Sequence, residues 1–425
     1  ADIENSAPNT TTTQFLIGSV TKQFTAVALL RALYDQALNS GIAKNDIASL
    51  NEAIKTELHK PISHFLPKDH AIWSGAMPKW ANVVTTHQLL VHSSGLVNFT
   101  SLPKYRELAG DQYQPADLIS FFKDYDLEFT PGSKYSYSNS GYMLLGEIIA
   151  QITGTQLDKY MEITLFKAHA MDATSLPTKG TSPDLQLLDL RFVNLARGYE
   201  FDVLEQEPNV TEVKTYEPMQ IPGGAGSIIS TTSDLLKWNN ALYSGEIIPD
   251  FLLKLMLTPH MYMPKGDDQN TFYGYGIIVS NSDNLGVYYS HNGMINGYRS
   301  DLTYIPSLKL TLACLTNLMP SFDGLDPEIK KIKTELPASL SESKKWKKIY
   351  ETLIDNHPII TINENKYDFM LVNKAVIKEL EEFKFSNSMR QVEHNLRSTV
   401  FVKGEPIVRY SIADRMQHYQ VPGVS

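Results

Sequence analysis

A serine hydroxyl becomes a useful nucleophile only when a neighbouring base takes its proton. The pattern Ser-x-x-Lys supplies such a base, because residues three apart share one face of a helix. Pairs of this kind include Ser19-Val-Thr-Lys22, Ser101-Leu-Pro-Lys104 and Ser341-Glu-Ser-Lys344. Pro103 disfavours a continuous helical turn in the second. The third lies in a charged, solvated stretch. Ser19 stands instead where the apolar run Phe15-Leu16-Ile17-Gly18 turns into a helical pattern. A helix N-terminus there offers unpaired N–H groups and partial positive charge to a developing oxyanion. Taken alone, the pair reads sooner as an N-capping serine beside an exposed lysine.

Two further clusters extend the reading. Tyr137-Ser138-Asn139 follows the turn signal Thr130-Pro131-Gly132-Ser133 and precedes an apolar helix, so a phenol and an amide are set at a bend. A phenol close to a lysine ammonium is expected to ionise more easily, which fits Tyr137 for base or relay work. His291-Asn292-Gly293 opens a stretch between two predicted strands. Gly293 would admit a substrate close to the backbone, and the amide of Met294 is a candidate second oxyanion donor. Read singly, Tyr137 is one of 22 tyrosines and His291 a satisfied structural histidine.

The elements that must position these groups are legible from periodicity. Apolar residues Phe24, Val27, Ala28, Leu30 and Leu33 recur at helical spacing from Ser19 to about Asn39. Further helices are expected from about Asp46 to Leu66, where Pro67 ends them, and over 86–91, 115–122, 142–152 and 234–242. From Tyr275 onward the pattern changes to β-branched and aromatic runs at 275–279, 286–290, 298–305 and 309–316. Short links between them predict an antiparallel sheet, and the preceding helices make the class α+β.

Composition excludes several alternatives. A net charge of −9 argues against a non-specific nucleic-acid surface. The cluster Lys344, Lys345, Lys347 and Lys348 reads as the wet face of a helix. The one cysteine, Cys314, excludes an intramolecular disulfide or a cysteine-based zinc site and reads as a small buried hydrophobe. His59, His64, His70, His87 and His92 are scattered without ligand spacing, so they read as structural or exposed and no metal or cofactor is expected. No apolar stretch approaches the roughly 20 residues that span a bilayer. There is no signal-peptide pattern, and a chain starting at Ala1 makes that uninformative about compartment.

Taken together, the three motifs in this order resemble the serine β-lactamase and penicillin-binding protein superfamily. The similarity is to the branch holding class C β-lactamases, D-alanyl-D-alanine carboxypeptidases, D-aminopeptidases and related esterases. It extends to Phe15-Leu-Ile-Gly-Ser-Val-Thr-Lys-Gln-Phe-Thr-Ala26, Leu89-Leu-Val-His-Ser-Ser-Gly-Leu96, Tyr135-Ser-Tyr-Ser-Asn-Ser-Gly-Tyr142 and Gly223-Gly-Ala-Gly-Ser227, and covers about residues 1–317. The resemblance implies a β-lactamase/transpeptidase-like fold, with an antiparallel sheet flanked by helices plus a mainly helical lobe at about 45–220. It implies Ser19 as acylated nucleophile, Lys22 as its proton partner, Tyr137 as base or relay, and Asn139 as a substrate contact. Backbone amides of Ser19 and Met294 would form the oxyanion hole. His291 takes the place of the lysine in the Lys-Thr-Gly of β-lactamases, and Asn292 that of the threonine. These departures weaken a β-lactamase reading and give a pH-dependent grip on a substrate carboxylate. His291, Asn292 and Gly293 line the substrate path, with Arg299 a second carboxylate contact or a structural ion pair.

The implied activity is hydrolysis of peptide, amide or ester bonds through an acyl-enzyme, on small-molecule or peptide substrates such as peptidoglycan fragments or β-lactams, outside the cytoplasm. The alternative is a penicillin-binding sensor or structural module with little turnover. Oligomeric state is not written in the residues. Residues 1–320 read as the hydrolase domain and 321–385 as an extension or small accessory domain. The segment Tyr410 to Ser425 resembles the family's opening helix and first strand. The order therefore reads as permuted, with 386–425 completing the hydrolase domain and Ala1 and Ser425 on one side of the sheet. The plain alternative is that 386–425 is more extension.

Overall fold

The computed structural model describes residues 2–102, 105, 115–177, 194–202, 210–213, 223–264, 271–282, 285–295 and 297–321, with isolated positions beyond. One helix organises this fold. Helix α1 (Thr21–Asn39) buries Phe24, Ala26, Val27, Ala28, Leu29, Leu30 and Leu33, so residues from every side of it are covered. A helix covered all round belongs in the middle of a molecule. Phe24 stacks on Trp238 with ring centroids 3.8 Å apart. Each fully buried side chain of this size contributes about 1.5–3 kcal/mol.

Helices α2 (Ile47–Leu58), α5 (Asn139–Thr153) and α6 (Leu157–Met161) pack on α1, while α3 (Thr86–Leu90) and α4 (Pro115–Ser120) pack on α5. Asp46 caps α2 by accepting from Ser49 N–H, and Thr85 with Gln88 forms a capping box on α3. Helix α2 stops at Leu58, ahead of Pro61, and not at Pro67 as expected. Proline restricts the residue before it and so closes the helix sooner. Helix α5 starts at Asn139, before the apolar run that was expected to open it, which puts Asn139 in its first turn.

A six-stranded antiparallel sheet packs against the turn that leads into α1. Its strands are β5 (Met261–Tyr262), β6 (Thr271–Tyr273), β7 (Ile278–Ser282), β8 (Gly286–Ile295), β9 (Tyr298–Ile305) and β10 (Leu310–Thr316), in spatial order β10-β9-β8-β7-β6-β5. The α+β expectation holds. His291-Asn292-Gly293 does not separate two strands as expected, but lies inside the 10-residue β8. Strand β7 pairs with β8 only from Gly286 to Ser290, whereas β9 continues to Ile295. Among the described residues, then, His291–Ile295 has strand pairing on one edge only.

Short strands complete the described fold. Phe15–Leu16 (β1) pairs with Ile229–Ser230 (β4), and Leu318–Ser321 (β11) runs parallel to Tyr199–Asp202 (β2), beside Val210–Glu212 (β3). Cys314 is buried. The accessory-domain and permutation expectations for 321–425, and the placement of Ala1 against Ser425, lie outside the described residues apart from isolated positions. So does the pair partner Lys104.

Candidate active site

Ser19 sits in a single tight turn, Gly18–Val20, that leads directly into α1. Gly18 has φ +49°, and a Cβ there would come within 2.9 Å of Met294 N. Only a residue without a side chain lets the turn lie against β8 in this backbone conformation. Gly293 makes the reciprocal approach: a Cβ on it would meet Ile17 O at 2.1 Å and Ser19 N at 2.9 Å. Ser300, opposite Gly293 in the sheet, locks the contact by donating to Ile17 O at 2.6 Å. Two glycines and a serine thus bring the backbone of Met294 beside that of Ser19.

The side chains converge on Ser19 Oγ. Tyr137 O–H donates to it at 2.7 Å, and Lys22 Nζ lies 3.0 Å away. Lys22 also donates to Asn139 Oδ1 at 2.8 Å and to the carbonyl of Ala225 at 2.6 Å. The amine is fully buried, and desolvation holds it well below the usual lysine range. As a free amine it has two N–H groups and one lone pair. Asn139 Oδ1 and Ala225 O can only accept, so they take both N–H groups. The lone pair is left for Ser19 Oγ–H, and the arrangement satisfies every group.

Tyr137 departs from expectation. Burial pushes its phenol up, outweighing the hydrogen bond to Ser19, so it is a proton donor and not a ready phenolate. The neighbouring lysine, itself held towards neutrality, supplies no fixed charge to offset that desolvation. His291 departs too. It is 2% exposed, its Nδ1–H donates to Asn292 O at 2.7 Å, and Nε2 accepts from Tyr273 O–H at 2.8 Å. Burial brings its pKa down to about 3. Burial therefore disfavours the cationic ring on which the expected pH-dependent grip on a carboxylate depends.

Alternation along β8 sorts the remaining candidates. His291, Gly293 and Ile295 are buried, while Asn292 and Met294 are exposed on the other face. Arg299 pairs directly opposite Met294 and shares that other face.

Several residues of the site carried no motif. Asn98 Oδ1 accepts from Asn139 N–H at 3.0 Å, and Thr100 Oγ1 accepts from Asn139 Nδ2–H at 3.1 Å. Thr25 donates to Gly224 O at 2.7 Å, fixing the turn that presents Ala225 O. No spacing rule joins positions so far apart in the chain. The Leu89–Leu96 and Gly223–Ser227 similarities were the available signals.

A serine held between a buried amine and a phenol, with the backbone of Met294 beside its own, is an arrangement suited to acyl transfer. The chain belongs to the Beta-lactamase family, whose sequence model matches residues 1–333. It is 27% identical over 245 residues to Penicillin-binding protein 4* of Bacillus subtilis (strain 168), covering 55% of this chain and 51% of that protein. It is 26% identical over 272 residues to the Putative D-alanyl-D-alanine carboxypeptidase of Escherichia coli (strain K12), covering 60% and 61%. The chain thus spans between about half and three-fifths of these relatives. Among solved structures it is similar to the D-amino acid amidase from Ochrobactrum anthropi SV3 complexed with L-phenylalanine amide. That match has TM-score 0.58 and 25% identity, over 75% of this chain and 80% of that one. The fold is accordingly β-lactamase/transpeptidase-like. No described helix is long and apolar enough to cross a membrane.

Proposed function

We propose that this chain is a serine hydrolase that cleaves peptide or amide bonds next to D-amino acids through an acyl-enzyme on Ser19. The observation that carries the reading is the position of Ser19 Oγ, 2.7 Å from Tyr137 OH and 3.0 Å from Lys22 Nζ. The relatives whose names specify D-alanyl-D-alanine and D-amino acid substrates support the substrate class. The same reading carries an extracytoplasmic place of work.

The free amine of Lys22 takes the Ser19 proton as Oγ attacks the substrate carbonyl. The oxyanion develops against the N–H groups of Ser19 and Met294, which are already in place and need no reorganisation. Tyr137 O–H, kept protonated by burial, hydrogen-bonds Oγ and then faces the departing group. The proton resting on Lys22 is available to the amine that leaves. Asn139, tied to Lys22 and to the Asn98–Thr100 segment, holds the lysine in place. The one-sided edge of β8 from His291 to Ile295 receives the extended main chain of the substrate as an added strand.

Incubation with a fluorescent penicillin or fluorophosphonate is expected to label wild-type protein and to leave Ser19→Ala unlabelled. Label retained by the substituted protein would refute the assignment. Label on wild type without turnover of a D-amino-acid amide would favour a penicillin-binding sensor.

A pH profile tests the protonation states. Acylation is expected to fall in acid as Lys22 gains a proton, at a pH well below that of ordinary lysine titration. With its pKa down at about 3, His291 adds no step between about pH 5 and 8. An inflection in that window that disappears in His291→Gln would show the histidine to titrate there after all.

A further inference from the structure

His92 lies outside the group just described, yet it touches the segment that carries Tyr137 at three points. Its carbonyl accepts from Ser136 N–H at 2.8 Å, and its imidazole Nδ1 accepts from Ser138 N–H at 3.1 Å. Its ring also lies 4.2 Å from that of Tyr137, centroid to centroid. The two amides bracket Tyr137, so one residue holds the backbone before and after the phenol and one face of the ring between.

Ser93 N–H donates to Gln88 O and His92 N–H to Leu89 O, the paired bonds that close a helix with a left-handed residue. His92 is that residue, with φ +56°. Glycine is the usual occupant, because any side chain adds a steric cost there. The ring is 1% exposed and set among Tyr135, Tyr137, Tyr142 and Tyr273. With Nδ1 accepting, Nε2 carries the proton, and among the described residues it has no hydrogen-bond partner. A side chain serving only to fill space would be apolar and would bring no unpartnered donor. Burial holds the imidazole well below its usual range, which leaves Nδ1 able to accept.

We propose that His92 is the positioning residue that sets Tyr137 against Ser19, through its grip on the amides of Ser136 and Ser138. This rests on the reading of Ser19, Lys22 and Tyr137 as the acylating centre. His92 itself donates nothing to the substrate. It fixes the phenol where a displacement on the order of 1 Å costs about 100-fold in rate.

Two substitutions in the full chain test it. Asparagine carries an acceptor at the place of Nδ1 and tolerates the left-handed region. Glycine relieves the backbone and keeps the carbonyl, but has no acceptor and no ring. His92→Gly is expected to slow fluorophosphonate labelling of Ser19 by about 100-fold, with His92→Asn staying within about tenfold of wild type. Amide exchange at residues 136–138 reads the contact itself: Ser138 should lose protection in His92→Gly while Ser136 keeps it. A folded His92→Gly protein labelled at the wild-type rate would overturn the proposal. So would equal protection of Ser138 in both variants, or an Asn variant no faster than the Gly one. Should the Gly variant not fold, His92→Asn decides alone: protected Ser138 with near-normal labelling supports the proposal, and loss of both defeats it. A wild-type chain that takes no label at Ser19 would refute the acylating centre, and the exchange pattern would still decide the tie between His92 and Ser138.

Discussion

Lys22→Ala is expected to slow acylation of Ser19 by about 10²–10⁴-fold, the range that a positioned proton acceptor supplies. As a free amine, Lys22 would turn its lone pair to Ser19 Oγ–H, 3.0 Å away, while Tyr137 is held protonated. Truncation also removes the donor to Asn139 Oδ1 and to Ala225 O. Each buried acceptor left unpaired costs about 1–3 kcal/mol, so some loss of Tm accompanies the loss of rate. Labelling rates with a fluorophosphonate, taken together with thermal melts, separate the two effects. A folded variant labelled within a few-fold of wild type would remove Lys22 from the proton path and return Tyr137 to the role of base.

The second large effect belongs to Gly293→Ala. The added carbon would fall 2.1 Å from Ile17 O, 2.5 Å from Ser300 Oγ and 2.9 Å from Ser19 N. Two of these are backbone atoms, so β8 and the Ser19 turn must move apart. Over-packing of this kind costs about 1–3 kcal/mol. Because the displaced backbone carries the paired amides, acylation should also fall by about 10²–10³-fold, as for removal of one oxyanion donor. Gly293→Ala is to be compared with a methyl added elsewhere in β8, such as Ser290→Thr. If both melt alike and both keep the wild-type labelling rate, the amides of Ser19 and Met294 are not the oxyanion site.

Sequence patterns reached far into this fold, but unevenly. The α1 periodicity and the late run of strands were plain because burial follows 3.6- and 2-residue repeats. Ser19, Lys22, Tyr137 and Asn139 were found because their types and local settings are restrictive, and the structure does bring them together. What could not be read was protonation. Proximity to lysine argued for an easily ionised Tyr137, and unperturbed histidine for a titrating His291. Burial reverses both, and burial depends on packing from distant segments. The side of the sheet on which Arg299 lies was hidden for a similar reason, since it follows from the register of β8 against β9. His92 was passed over as one histidine of 11, because its contacts run to amides that carry no side-chain signal.

The strand that is paired on one side only bears on how choosy such an enzyme is. Main-chain hydrogen bonds read the direction and extension of a peptide, and they are indifferent to what its side chains are. Under the proposed reading, β8 would therefore accept almost any extended acyl donor of suitable length. Discrimination would fall to the walls around it, and a new preference could arise by altering those walls while Ser19, Lys22 and Tyr137 stayed as they are.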